Sequence, residues 1–521
     1  MTAVDQQISA YLNEGVGLWT DLVQFQAKAR PDHAALIQED RSMSYGELDA
    51  LSDRIAASLQ RDGVEVGESV AICALNSIEY AALYYGILKA GAVVAPLAGS
   101  ASAESLRMMI EDCGARMIFV DAGGAAALGG EDHQLSIPVR RMDVDEGDSL
   151  ASWLAPEGST PAPVTVDRSQ GFNIIYSSGT TGAPKGIVQS HKMRWAHCLP
   201  LDPPGFGQEA VTMLATPLYS NTTLVCFIPT LSGGGTVVLM PKFDTRRYLE
   251  LASKHRATHT MLVPVQYQRL MDEPTFDNYD LSSFEKKFCT SAPFSAALKA
   301  EVLRRWPGGL IEYFGMTEGG GTCILHAHLY PTKLHTVGQP APGHDIRILS
   351  EEGQQLPAGE TGEIVGHSPS MMNGYHNLPG KTAETEWHSP DGKRFIRTGD
   401  IGRFDEEGFL TIMDRKKDVI ISGGFNIFPS DLEPVIGEHE AVVDVAVVGV
   451  PSDKWGETPV AYVVLKTGAT ATPEDIKAYA DDRLGKTQRV AAVKIIDELP
   501  RSAIGKILKR ELRDRFVADA A

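Results

Sequence analysis

Residues 174–186 read Ile-Ile-Tyr-Ser-Ser-Gly-Thr-Thr-Gly-Ala-Pro-Lys-Gly. A short apolar strand, Ile174 to Tyr176, enters a loop of glycines and hydroxyl side chains. Glycines lack a Cβ, so backbone N–H groups can converge on one point, as an anion-cradling nest requires. The hydroxyls of Ser177, Ser178, Thr180 and Thr181 add donors that rotate to suit a ligand, Gly179 and Gly182 leave room for it, and Lys185 supplies a point charge. Such a loop suits a polyphosphate. It is not a Walker A loop, because Lys185 lies three residues after Gly182 and is followed by Gly186 rather than by serine or threonine. On composition alone, a flexible polar surface turn stands beside that reading.

The rest of the chain supplies an α/β frame for this loop. Ser44-Tyr45-Gly46-Glu47 is a capping box opening an amphipathic helix through Leu48, Leu51, Ile55 and Leu59. Strands at 69–74, 92–97 and 116–120 and a helix at 79–90 give a β-α-β rhythm, which predicts a largely parallel sheet covered by helices. Residues 155–170 read as a linker. Beyond the loop come a strand at 211–217, a helix at 222–231 and a strand at 236–240. Residues 288–293 and 310–318 read as strand ends with loops, where ligand groups gather in open α/β sheets. From about 338 short strands dominate (344–349, 362–366, 410–413), as in a β-rich subdomain. After the charged run Asp414-Arg415-Lys416-Lys417-Asp418, the final hundred or so residues form a compact α+β unit. The expected fold is therefore α/β: a large N-terminal domain of parallel-sheet layers with a β-rich subdomain (1–413), a hinge (414–418) and a small mobile α+β C-terminal domain (419–521).

Composition narrows the function classes. Among 521 residues, 43% are apolar and 22% charged, as in soluble globular proteins. A net charge of −19 argues against a broad nucleic-acid surface. Six scattered cysteines without a Cys-x-x-Cys pair suit buried thiols in a reducing compartment. The N-terminus lacks a basic and apolar secretion signal, and no apolar run reaches membrane-spanning length, so a cytoplasmic enzyme is expected. His326 and His328 alternate without a third ligand at metal spacing and read as structural.

The full string Tyr176–Gly186 resembles the signature loop of the adenylate-forming superfamily, which holds acyl-CoA synthetases, peptide-synthetase adenylation domains and beetle luciferases. The resemblance spans nearly the whole chain, with all motifs in family order, and within the family it is similar to 4-coumarate and feruloyl-CoA ligases. It implies that Ser177, Ser178, Gly179, Thr180, Thr181, Gly182 and Lys185 hold the β- and γ-phosphates of ATP. Glu312-Tyr313-Phe314-Gly315-Met316-Thr317-Glu318 resembles the second nucleotide motif. By that resemblance Tyr313 stacks on adenine, Thr317 bonds the α-phosphate and Glu318 holds Mg2+, a hard ion that takes few carboxylates beside phosphate oxygens. Read as residues alone, the same string is a buried aromatic followed by a helix-capping threonine. Ser291, Ala292 and Pro293 would line the adenine and acyl pockets.

Arg397-Thr398-Gly399-Asp400 alone reads as a turn; the resemblance makes Asp400 the carboxylate that accepts both ribose hydroxyls. Arg415 is either a solvated charge or a ribose contact. Lys417 occupies the hinge position. Pro500-Arg501-Ser502-Ala503-Ile504-Gly505-Lys506 matches the spacing of the family's catalytic lysine, a cation that stabilises charge developing between carboxylate and α-phosphate. Ser422, Gly423 and Gly424 resemble the stretch lining the pantetheine tunnel of coenzyme A. Arg483, Lys486, Arg489 and Lys494 either meet its phosphates or form a solvated face.

One departure concerns Tyr219, which is followed by Ser220 and Asn221 where many such ligases carry histidine. This puts the usual gate between acyl pocket and CoA tunnel in question. The hydroxyls of Tyr219, Ser220 and Thr290 are expected to meet ring substituents, and Gly319 and Gly320, with Gly321, to leave space for the acid. The chain ends just past Lys506 without a carrier domain, so a free-standing ligase is expected. The overall expectation is an ATP-dependent carboxylic acid–CoA ligase that uses ATP, Mg2+ and coenzyme A. It would form acyl-AMP and then acyl-CoA from an aromatic or hydroxycinnamic acid. A medium- or long-chain fatty acid is the alternative. A binding protein that has lost catalysis is a more distant one, opposed by the presence of Lys185, Glu318, Asp400 and Lys506; a luciferase-like oxygenase is another. The expected partners are small molecules, with no nucleic acid and no integral membrane segment, and with a homodimer left open.

Overall fold

Ser69–Cys73 forms a strand buried along its whole length, as a parallel sheet covered on both faces requires. The structure is a computed structural model that describes residues 8, 10–12, 17–130, 135–177, 184–199, 205–485, 488–501 and 506–520. The strand is flanked in parallel by Val93–Pro96 and Ile118–Val120, with Val139–Arg141 and Gly171–Ser177 continuing the sheet on either side. The β-α-β rhythm is thus realised. The stretch around 174–186 differs from a βα crossover. Gly171–Ser177 and Lys185–Ser190 are antiparallel partners with Ser177 opposite Lys185, so the loop closes a hairpin. Gly374–Tyr375 adds a last antiparallel strand outside Lys185–Ser190, completing a seven-stranded sheet.

A second sheet contains Cys323–His326, Gly309–Phe314, Lys286–Cys289, His259–Leu262, Val211–Leu214, Thr236–Leu239, Ala34–Gln38 and Arg41–Ser44, in that order. The expected strand at 211–217 stops at Leu214, because the chain then turns at Pro217, whose carbonyl accepts the Ser220 N–H at 2.9 Å. The helix Asn221–Ser232 follows. The capping box forms as read: Ser44 Oγ accepts from Glu47 N at 3.2 Å and Glu47 Oε2 from Ser44 N at 2.7 Å, which starts the helix Tyr45–Arg61. That helix packs on Ile78–Lys89, most of which is buried. Gly86 makes the approach possible: a Cβ there would lie 2.6 Å from Ile55 Cγ2. Trp19, Tyr84, Phe172 and Phe227 pack together in the core between the sheets. All six cysteines are free and buried.

The chain divides into two compact units. The first contains 1–334, 341–345 and 367–396, and the second 335–340, 346–366 and 397–521. The second has its own cores. In it Gly456–Leu465 pairs antiparallel with Val442–Ser452 and parallel with Ala492–Ile495, while Ile420–Ser422 and Phe425–Ile427 form a hairpin beside it. Helices Pro429–Gly437 and Pro473–Asp481 bury Leu432, Ile436, Ile476 and Ala480 in one apolar cluster, and Lys509–Ala520 buries Leu512 in another. Residues 416–418 form a single 3-10 turn, Lys416–Asp418. Among the described residues no helix is long and apolar enough to cross a membrane.

Candidate active site

In the first unit, residues 178–182 of the phosphate-type loop lie outside the described residues, while its two stems are defined. Tyr176 anchors the incoming strand, its hydroxyl donating to Asp112 Oδ2 at 2.6 Å. Gly186 is required by close approach, since a Cβ would fall 2.8 Å from Ile174 Cγ2. Lys185 leaves the loop with its ammonium 5.4 Å above the centre of the Tyr375 ring. The Tyr375 hydroxyl donates to Glu318 Oε1 at 2.8 Å. Thr317 is held alongside, its carbonyl accepting from Gln189 Nε2 at 2.6 Å. Three groups far apart in sequence, Lys185, Glu318 and Tyr375, therefore meet in one place. Tyr375 was missed in the sequence; its only signal was a Gly-Tyr pair with nothing nearby to partner it.

The strand Gly309–Phe314 sorts the second motif by face. In parallel pairing Phe288 lies opposite Ile311, so Phe288, Ile311 and Tyr313 share one face while Glu312 and Phe314 take the other. Tyr313, expected on the adenine, instead stacks on Phe288, with centroids 5.7 Å apart and planes 9° apart. Phe288 in turn stacks on Phe206, with His259 beside them. Glu312 is likewise engaged with the protein: it is buried and pairs with the equally buried Lys299 at 2.5 Å. Burial pushes the Glu312 carboxyl up, opposed by the Lys299 charge. Phe314 and Met316 are half-buried and Gly315 is exposed.

The residues expected around the acid are largely engaged with the protein. Thr290 Oγ1 donates to the Tyr313 carbonyl at 2.8 Å. Ser220 caps the helix Asn221–Ser232, accepting from Thr222 N at 3.3 Å. Burial raises the Tyr219 pKa, opposed by the Ser100 side chain. Gly319, expected to leave space for substrate, leaves it for the protein: at φ 74° its missing Cβ would sit 2.0 Å from the Ser370 carbonyl oxygen. Gly320 is buried beside it. Ser291 adopts φ 83°, a left-handed conformation unusual for serine, with its hydroxyl 2.5 Å from that of Thr222. Ala292 is half-buried and Pro293 exposed.

The second unit carries its own cluster. Asp400 lies opposite Arg415 on antiparallel strands, and Arg415 Nε approaches Asp400 Oδ1 to 2.7 Å. Burial raises the Asp400 pKa, and the charges of Arg415 and Lys506 oppose that rise. Lys506 therefore acts electrostatically on Asp400 within this unit. Residues 502–505 lie outside the described residues, but the segment closes on itself: Arg501 bridges Ile507, and Leu508 N donates to the Pro500 carbonyl at 2.8 Å. Lys417 is exposed in its turn. Gly423 and Gly424, at φ 59° and 85°, are the two central residues of the hairpin between Ser422 and Phe425, a turn needing positive φ at both places. Of the basic residues considered for CoA, Arg483 lies on the Tyr479 ring and Lys494 over Phe516; Arg489 is exposed and Lys486 lies outside the described residues. His328 Nδ1 lies 3.2 Å from the Leu310 carbonyl oxygen.

Comparison with known proteins identifies the family. Residues 23–376 match the AMP-binding enzyme family and residues 431–506 its C-terminal domain. The fatty acid–[acyl-carrier-protein] ligase ScoC of Streptomyces coeruleorubidus is 32% identical over 95% of this chain and 96% of its own. The 4-coumarate–CoA ligase-like 9 of Oryza sativa subsp. japonica is 34% identical over 94% of this chain and 91% of its own. The structure of ATP-bound MatB from Rhodopseudomonas palustris superposes with a TM-score of 0.84 at 30% identity, covering 95% of this chain and 99% of that one. The chain belongs to the adenylate-forming AMP-binding enzyme family and is an AMP-forming acid ligase.

Proposed function

We propose that the enzyme activates a carboxylic acid with ATP and passes the acyl group to coenzyme A. The observation that carries this reading is the meeting of Lys185, Tyr375 and Glu318 beside the phosphate-type loop. The substrate carboxylate attacks the α-phosphate, the bond to the β-phosphate breaks and pyrophosphate leaves. The CoA thiol then attacks the acyl carbonyl and AMP leaves. Residues 177–182 and Lys185 hold the outgoing phosphates, and Thr317 meets the α-phosphate. A carboxylate next to a phosphate site suits Mg2+, which accepts one or two carboxylates plus phosphate oxygens; Glu318 is the residue that would hold it, and the ion would neutralise phosphate charge. Asp400 accepts the ribose hydroxyls with Arg415 beside it. With Tyr313 committed to Phe288, Phe314 on the opposite face is the aromatic assigned to adenine. Lys506 stabilises the charge that develops during acyl-AMP formation. Rotation about 414–418, at Lys417, replaces it with the pantetheine arm along Ser422–Gly424, between a domain of 1–413 and one of 419–521.

For the acid we favour an aromatic or hydroxycinnamic one. The support is the stack of Phe206, Phe288 and Tyr313 next to Thr290–Pro293, an aromatic series that a substrate ring would extend. The Thr290 hydroxyl, which donates to the Tyr313 carbonyl, does not carry that argument. A screen of pyrophosphate release over aromatic, cinnamic and aliphatic acids, with and without CoA, tests the reading. Release with an arene acid and thioester only when CoA is present is the expected result. Preference for alkyl acids moves the assignment to the fatty-acid alternative. No release with any acid overturns catalysis.

A further inference from the structure

We propose that Tyr375 is a positioning residue that keeps Lys185 and Glu318 apart and aimed, so that both charges stay available to the metal-bound triphosphate. The inference rests on the reading of Glu318 just given and deepens it.

The backbone comes first. Segment 368–376 is tied on one side to the strand leaving the loop: Tyr375 pairs with Ile187, His376 N donates to the Gly186 carbonyl at 2.7 Å and Asn373 N to that of Val188 at 2.9 Å. On the other side Met372 N donates to the Glu318 carbonyl at 2.9 Å, and Ser368 Oγ to that of Gly319 at 2.6 Å. The close approach of Ser370 to Gly319 locks the same junction. Tyr375 itself is steadied from below, its N–H donating to Thr382 Oγ1 at 2.9 Å. One short strap thus fixes the Lys185 strand and the Glu318 turn to each other, with Tyr375 between them.

The side chain then divides its two surfaces. Its hydroxyl takes the carboxylate and its π face takes the ammonium. Among the described residues Lys185 forms no ion pair. Without the phenol, the ammonium and carboxylate would be free to close on each other. Such a pair would cancel the charges that phosphate and metal need and would have to open for every nucleotide.

Calorimetric titration with MgATP and with ATP plus chelator separates the possibilities, using the full-length enzyme and its Tyr375→Phe, Tyr375→Leu and Glu318→Gln variants. Tyr375→Phe keeps the ring and loses the donor to a charged group, so the preference for MgATP over free ATP should fall roughly tenfold. The Mg2+ concentration for half-maximal pyrophosphate release should rise in step, while thioester formation from pre-made acyl-AMP is unchanged. Tyr375→Leu, which also removes the face under Lys185, should in addition weaken free ATP itself. A Tyr375→Phe variant with wild-type metal preference, beside a Glu318→Gln variant that has lost it, overturns the role of Tyr375. A Glu318→Gln variant with wild-type preference overturns the assignment of Glu318 beneath it. Equal loss in both half-reactions for Tyr375→Phe marks a general structural effect and also overturns the proposal.

Discussion

Lys299 and Glu312 show what a buried charge pair does for this protein. Both side chains are almost fully enclosed, and Lys299 also donates to the Leu334 carbonyl at 2.8 Å. Removing one partner leaves the other charge buried and unpaired, which costs about 3–5 kcal/mol. In Lys299→Met, Glu312 keeps the burial that raises its pKa and loses the cation that opposes it. A carboxyl whose folded pKa lies above its unfolded value contributes stability that is present below the unfolded pKa and lost as pH rises through the folded one. Lys299→Met should therefore unfold much more readily near neutral pH than in mild acid, and Lys299→Met/Glu312→Leu should recover most of the difference. Denaturation at several pH values checks both. Glu312 and Tyr313 stand beside Phe314 in one continuous string, yet the strand sends them to opposite faces, where Glu312 is held by Lys299 and Tyr313 by Phe288.

At the scale of elements, the local signals were the readable ones. Ser44 and Glu47 sit three apart, and both bonds of the capping box can be drawn from sequence. The loop hairpin was not readable as one, because Ser177 and Lys185 pair across a gap with no two-residue turn signal. Tyr375 was unreadable for a related reason: its partner Glu318 is 57 residues away, and only the strap brings them together. Gly86 illustrates an element whose packing outweighs its propensity. Alanine is favoured over glycine within a helix by about 1 kcal/mol, yet here its methyl would drive into Ile55, and overpacking costs about 1–3 kcal/mol. Gly86→Ala should lower the melting temperature, and Ile55→Ala in the same chain should cost less than it does alone. Additive losses would place the strain elsewhere.

For the whole molecule, the question is how one enzyme performs two reactions. Lys506→Ala should abolish acyl-AMP formation and leave thioester formation from supplied acyl-AMP largely intact; equal loss of both would sink the assignment of Lys506 to the first step. Lys417→Pro fixes φ near −65° and removes an N–H within the turn Lys416–Asp418. Pyrophosphate release should persist in that variant while CoA transfer is mostly lost. A wild-type rate of thioester formation from isolated acyl-AMP would remove the hinge from 417. The strap at 368–376 bears on a different property, solubility. The strand Lys185–Ser190 would otherwise be the outermost of its sheet, with a row of open N–H and C=O groups able to recruit a strand from another chain. Gly374–Tyr375 covers that row, yet it is only two residues long. It is too short to act as a template itself, so the segment that joins the Lys185 strand to the Glu318 turn also guards the sheet against edge-to-edge aggregation.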